Sequence, residues 1–320
     1  MDFHLLLSNI TNPTLLFFLL GVIASLLKSD LEIPPHTVKF ISLYLLFSIG
    51  FKGGQELALG TFSWEIAYSL LFGLCIASLI PFYSFFILRT RLKTDDAAAV
   101  AAAYGSVSAV TFVAATAFLE VQKLSFGGHM VAVMALMESP AIIVGVILIM
   151  HYNKDRKGEN NLAEIVRHSF TNGSVLMILG SLVIGLISDA KQAEGIKPFT
   201  TDIFKGFLAI FLLEMGMVTA KRFATFRKYG LFVSFFGLLA PLLNGVLVAW
   251  LSGFISAEVG NRFMFAILAA SASYIAVPAA MRLAAPKADP GLYIPMALGV
   301  TFPFNITLGM PIYFTVIQYT

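Results

Sequence analysis

Two short serine-containing segments occupy corresponding places in the two halves of the chain. Ser106 and Ser271 are 165 residues apart, and so are Ser108 and Ser273. Serine competes for backbone hydrogen bonds and often stands where a helix begins, so each pair predicts an interrupted helix. A half-helix starting just after such a break has free N–H groups and a positive dipole end. Together with Gly105, the serines therefore indicate a site for a small anion.

Small residues in apolar helices also serve close helix packing, and that is the alternative explanation for each segment alone. Their recurrence in both halves favours the anion site. Tyr274 directly follows the second pair. Its ring fills space and its hydroxyl can donate or accept a hydrogen bond, so we expect it to border the same pocket.

Two carboxylic acids, Glu138 and Glu214, lie inside long apolar runs. Such a carboxylate indicates an ion pathway or a buried partner on a neighbouring helix, and the sequence leaves both open. Glu138 is the stronger candidate, because in the expected repeat its span packs next to the one with the first serine segment. Thr111 and Asn305 add neutral oxygens on the candidate helices. With Glu138 they form the predicted Na⁺ ligand set, although polar contacts between helices would use the same residue types.

The elements that must hold these residues follow from composition. Apolar residues make up 58% of the 320 and charged residues 12%, and 30 are phenylalanine. At roughly 20 residues per span, about ten membrane-spanning helices fit. This composition excludes a soluble enzyme, a nucleic-acid-binding protein and a disordered scaffold. The single cysteine excludes an intrachain disulfide, and neither an HExxH nor a GxxxxGK[ST] motif occurs.

The apolar runs predict ten spans, and their boundaries are good to a few residues. They are Asn12–Leu27, Thr37–Gly54, Trp64–Leu88, Asp96–Leu119, Gly128–Tyr152, Gly173–Ser188, Asp202–Thr219, Tyr229–Phe254, Asn261–Ala285 and Gly291–Tyr319. With this topology, fifteen of the 21 basic residues fall on one face and six on the other. The positive-inside rule then makes the first face cytoplasmic and both termini extracytoplasmic.

Further matches at nearly the same offset support an internal repeat, such as Met134-Ala135-Leu136 with Met296-Ala297-Leu298. Five spans per repeat is an odd number, so the second repeat must enter the membrane from the opposite side. The predicted fold is therefore an all-α membrane protein with a 5+5 inverted-topology repeat and broken helices four and nine, typical of secondary transporters. The predicted domains are repeats over 1–152 and 169–320, joined by a cytoplasmic linker over 153–168.

At Gly105–Ala115, Ala269–Arg282, Met137–Pro140, Gly50–Gly54 and Pro286–Pro290, the chain resembles the sodium-dependent bicarbonate transporter family. The resemblance covers nearly the whole chain. It implies bicarbonate uptake coupled to Na⁺, an elevator-like core and gate, a homotrimer in the bacterial inner membrane and control by a PII-like protein. It also matches Gly105 and the four serines to positions lining the bicarbonate and sodium sites.

We therefore expect a Na⁺-coupled symporter of a small anion, with bicarbonate as the first choice. A symporter of another small anion or carboxylate is the alternative, and an anion channel is less favoured because the polar groups cluster at two breaks. We expect no enzymatic activity, no organic cofactor and no nucleic-acid partner.

Overall fold

The computed structural model describes residues 12–59, 63–152, 167, 171–226 and 230–320, and this part of the chain is helical without a strand. The helices in chain order are α1 (Pro13–Leu26), α2 (Pro35–Leu59), α3 (Trp64–Leu88), α4 (Thr94–Gly105), α5 (Ala109–Val121), α6 (His129–Tyr152), α7 (Gly173–Ile187), α8 (Ala190–Lys197), α9 (Phe204–Phe226), α10 (Leu231–Leu251), α11 (Val259–Ala270), α12 (Ala276–Ala284) and α13 (Pro290–Gln318).

Some connections continue helically. A π-helical turn, Pro198–Asp202, follows α8, and a 3-10 turn, Ser252–Phe254, follows α10. Within α13 two stretches, Ala297–Thr301 and Asn305–Gly309, have π-helical hydrogen bonding. Bulges of this kind often occur at functional sites.

Six helical segments of the described chain are long and apolar enough to cross a membrane. They are Trp64–Leu88, Thr94–Val121, His129–Tyr152, Ala190–Phe223, Leu231–Phe254 and Pro290–Gln318. Three apolar helices are shorter: Leu15–Leu26, Gly173–Ile187 and Val259–Ala270. Large apolar side chains stay exposed on α1, α3, α7 and α10, as expected of surfaces that face lipid. The chain is thus an all-helical protein with several candidate spans, and ten spans remain a prediction.

Two helix pairs, α1 with α9 and α2 with α7, form the closest packing in one group of helices. In each pair the helices pack closely at glycines that face backbone carbonyls of the partner helix. These contacts are Gly21 with Leu213, Gly216 with Phe18, Gly54 with Leu182 and Gly185 with Phe51. A Cβ atom added at any of the four would lie 2.0–2.2 Å from the carbonyl oxygen, which is too close for a side chain. Only glycine permits these backbones to approach.

A second group contains the interrupted helices. Here α3 packs against α4 and α6, while α10 packs against α11 and α13. The alanines from Ala97 to Ala103 in α4 are fully buried, and so is nearly all of α11. Protein therefore surrounds α4, α5 and α11, so backbone groups left free by a break can find partners inside the protein.

The predicted linker over 153–168 lies outside the described residues except for Arg167.

Candidate functional site

The first break separates α4 from α5. Helix α4 ends at Gly105, whose missing side chain lets Pro81 of α3 approach: a Cβ there would lie 2.2 Å from the proline Cδ. Ser106 is extended, with φ −84° and ψ 175°. Ser108 then starts α5 as its N-cap, and its Oγ accepts a hydrogen bond from the N–H of Thr111 at 3.2 Å. The serine chemistry expected from the sequence is present here.

The second break separates α11 from α12. Helix α11 ends at Ala270, and Ser271 has nearly the same conformation as Ser106, with φ −83° and ψ 166°. Ser273 reaches forward, and its Oγ accepts a hydrogen bond from the N–H of Val277 at 3.4 Å. The predicted interruption of this helix is therefore confirmed, and it extends through Ile275.

The two breaks are joined by direct hydrogen bonds. The N–H of Ser108 donates to Oγ of Ser271 at 3.0 Å, and that hydroxyl donates to the carbonyl of Leu268 at 2.9 Å. In the other direction, the N–H of Ser273 donates to the carbonyl of Ala103 at 2.8 Å. Segments 163 residues apart in sequence thus form one buried unit.

A small cavity of about 20 Å³ opens beside this unit. Both breaks and three further helices line it, through Ser42, Leu46, Val107, Ser108, Ala109, Val110, Glu138, Ser174, Ser273, Tyr274 and Ile275. This volume holds about one water-sized particle. The cavity lies where α2 and α7, which pack closely at glycines, contact the second group of helices, the group with the two breaks.

Glu138 supplies the only carboxyl group among the lining residues. It belongs to α6, and its backbone carbonyl accepts a hydrogen bond from Oγ of Ser106 at 3.5 Å. Its carboxyl group has no hydrogen-bond or ion-pair partner within the described ranges. When this carboxyl group is ionised, a bound cation is what can balance its charge.

Tyr274 closes one side of the cavity. Its hydroxyl lies 3.9 Å from Sδ of Met215 on α9 and also interacts with the side chain of Ser108. Its ring stands edge-on to that of Phe302, with centroids 6.5 Å apart. Tyr274 therefore contacts both the break and a helix of the other group.

The other two predicted Na⁺ ligands are buried but do not line the cavity. Thr111 stands in the first turn of α5, where its N–H is capped by Ser108. Asn305 donates from Nδ2 to the carbonyl of Ala270 at 2.7 Å and accepts from the hydroxyl of Tyr313 at 3.0 Å. The Asn305 amide thus satisfies the carbonyl end of α11 instead of facing Glu138.

Ser42 and Ser174 were missed by reasoning from the sequence. Ser42 lies in the first half of α2 and Ser174 in the first turn of α7, so both bring hydroxyl groups to the cavity from helices other than those with the breaks. A hydroxyl inside the second apolar run was the available signal for Ser42. Only the packing of α2 and α7 shows that the two serines share a cavity with Glu138.

Two interrupted helices that meet at a small cavity, within a bundle of apolar helices, are an arrangement typical of secondary transporters. The sequence model of the Na⁺-dependent bicarbonate transporter superfamily matches residues 13–318, nearly the whole chain. The chain belongs to this superfamily of integral membrane transporters, and it is not an enzyme. A search of curated proteins found no match.

Proposed function

We propose that this protein is a Na⁺-coupled symporter of bicarbonate that binds its anion between the two helix breaks. The observation that carries the proposal is the cavity shared by Ser108, Ser273, Tyr274 and the unpaired carboxyl group of Glu138. Membership of a Na⁺-dependent bicarbonate transporter superfamily supports both the substrate and the coupling ion.

The serine hydroxyls suit an anion. Oγ of Ser108 and Oγ of Ser273 each accept a hydrogen bond from the first turn of their own half-helix, and each hydroxyl keeps its own hydrogen to donate. The N-terminal ends of α5 and α12 add positive dipole charge beside them. Bicarbonate is larger than one water molecule, so the cavity must widen before the anion enters.

Glu138 explains why a cation would have to accompany the anion. A carboxylate and a bicarbonate about 4 Å apart repel each other by about 1 kcal/mol in water and by about 4 kcal/mol at an effective dielectric constant of about 20. A Na⁺ ion between them replaces that repulsion by two attractions. Binding of either ion then favours binding of the other, which is the coupling that symport needs.

The packing pattern supports the proposed 5+5 inverted repeat, with repeats over 1–152 and 169–320. Packing of α1 on α9 corresponds to packing of α7 on α2, and packing of α3 on α4 to that of α10 on α11. One pair of hydrogen bonds also repeats. Oδ1 of Asp96 accepts from the N–H of Asp289 at 2.8 Å, and Oδ1 of Asn261, 165 residues later, accepts from the N–H of Gly127 at 2.7 Å.

The orientation belongs to the same proposal. The distribution of lysine and arginine favours extracytoplasmic termini and a cytoplasmic linker in a bacterial inner membrane. A homotrimer and a PII-like regulatory partner are expectations that come from the family resemblance.

Uptake of labelled bicarbonate by proteoliposomes tests the function. We expect accumulation above the external concentration when a Na⁺ gradient is imposed, and none with an equal K⁺ gradient. Passive bicarbonate flux that ignores the Na⁺ gradient would identify an anion channel. Na⁺-driven uptake of a short carboxylate in place of bicarbonate would identify the alternative symporter.

A further inference from the structure

A second cavity, of about 500 Å³, lies where α2 ends and where α3, α6 and α11 begin. Three carboxylic acids line it: Glu56, Glu65 and Glu258. Glu56 is electrostatically coupled to Lys52, whereas Glu65 and Glu258 have no ion pair with a described lysine or arginine. The cavity therefore has an excess of negative charge.

Asn261 holds two of these carboxylates close together. This residue is 1% exposed, and its Nδ2 lies 3.2 Å from Oε1 of Glu65, 3.2 Å from Oε2 of Glu258 and 3.3 Å from Oγ of Ser256. Its Oδ1 accepts from the N–H of Gly127. An amide nitrogen has two hydrogens, so it cannot satisfy three acceptors. One amide nitrogen therefore cannot balance both carboxylates, and a cation bound beside them would balance the remaining negative charge.

His129 provides an independent observation at the same cavity. It is 7% exposed, it lines the cavity, and its Nε2 has no hydrogen-bond partner in the described structure. It also interacts electrostatically with Glu65. A buried ring nitrogen without a partner, near the Glu65 carboxylate, indicates that a ligand or its water shell completes this site.

We propose that the carboxylates of Glu65 and Glu258, which the Asn261 amide holds close together, form a second Na⁺-binding site, separate from the cavity at the helix breaks. Within the described residues, no three His, Cys, Asp or Glu side chains are arranged to hold a metal ion. This argues against a tightly bound divalent ion. A weakly bound Na⁺ can use the two carboxylates and water as oxygen ligands. This inference rests on the proposed function, in which this face of the protein is extracytoplasmic. The site then concentrates Na⁺ at the entrance of the transport pathway.

Equilibrium binding of ²²Na⁺ to the purified protein in detergent, without bicarbonate, tests the site directly. We expect Glu65→Gln/Glu258→Gln to bind less ²²Na⁺ than the wild type. The matched control is Glu194→Gln, because that carboxylate is 75% exposed on α8, at the same predicted face, and pairs with Lys197. The control should bind like the wild type. If the double variant does not fold, the measurement is repeated with each single variant.

In proteoliposomes, each lost carboxylate should raise the Na⁺ concentration for half-maximal uptake by about fourfold. This is the effect of a unit charge about 5 Å away in water. Added choline chloride should reduce this difference between variant and wild type, because the salt screens the charge of the carboxylates. Unchanged ²²Na⁺ binding in the double variant overturns the site, and so does displacement of ²²Na⁺ by micromolar divalent ions. If bicarbonate uptake fails altogether, the detergent measurement still decides this proposal separately.

Discussion

Removing the charge of Glu138 is the sharpest test of the coupling mechanism. Glu138→Gln keeps the shape of the side chain and deletes the only carboxyl group among the described residues that line the cavity at the breaks. A Na⁺ ion about 4 Å from this carboxylate gains about 1 kcal/mol in water and about 4 kcal/mol at an effective dielectric constant of about 20. Glu138 is half-buried, so we expect a loss of about 1–3 kcal/mol. Half-maximal uptake should then need roughly 5- to 150-fold more Na⁺.

The same substitution should have the opposite effect on the anion. Without Na⁺, bicarbonate in the wild-type cavity is repelled by the carboxylate, and the glutamine variant removes that repulsion. Sodium-independent binding of bicarbonate should therefore become stronger in the variant while Na⁺-driven accumulation becomes weaker. A substitution that only damaged folding would weaken both.

Na⁺ titrations of labelled bicarbonate uptake, paired with anion binding to the detergent-purified protein, measure the two effects. Glu214→Gln is the matched control, since Glu214 is also half-buried in an apolar helix but does not line the cavity. Its Na⁺ dependence should match the wild type. An unchanged Na⁺ requirement in Glu138→Gln would refute the role of this carboxylate. Wild-type uptake driven by a proton gradient, with no response to Na⁺, would refute the Na⁺ coupling itself.

Three further predictions concern the breaks, the packing and the topology. Ser108→Ala and Ser273→Ala should each weaken bicarbonate binding by about 1–2 kcal/mol, the range for a hydrogen bond to a charged group. Calorimetry measures the affinity. Unchanged affinity in both variants would show that the two serines only pack against neighbouring helices. Gly185→Ala should lower the thermal unfolding temperature, because its Cβ would lie 2.2 Å from a carbonyl oxygen, whereas Gly180→Ala in the same helix has open space and should not. For the topology, Gly158→Cys is made in a protein that also carries Cys75→Ser. Membrane-impermeant thiol labels added outside intact cells should not react with it. Labelling would contradict the proposed orientation.

The helices that bear the site could be located from the sequence, and so could their breaks. Gly105, Ser106 and Ser108 combine a small residue with two side chains that compete for backbone hydrogen bonds, and these local preferences act whatever the helix packs against. The helix ends at Gly105 and Ala270 agree with that reasoning. Apolar composition determined the helical class for an equally general reason, because a chain in lipid must satisfy its backbone groups internally.

Which other side chains join the serines and Tyr274 at the cavity was decided by the tertiary structure. Thr111, Glu138 and Asn305 formed the Na⁺ ligand set predicted from the sequence. Of the three, only Glu138 lines the cavity, and the Asn305 amide bonds the carbonyl end of α11. Ser42 and Ser174 join from helices outside the two serine segments. Sequence periodicity tells which face of a helix is apolar, but not which helix lies opposite. That depends on contacts such as those of Gly54 and Gly185, where two backbones approach because neither residue has a side chain.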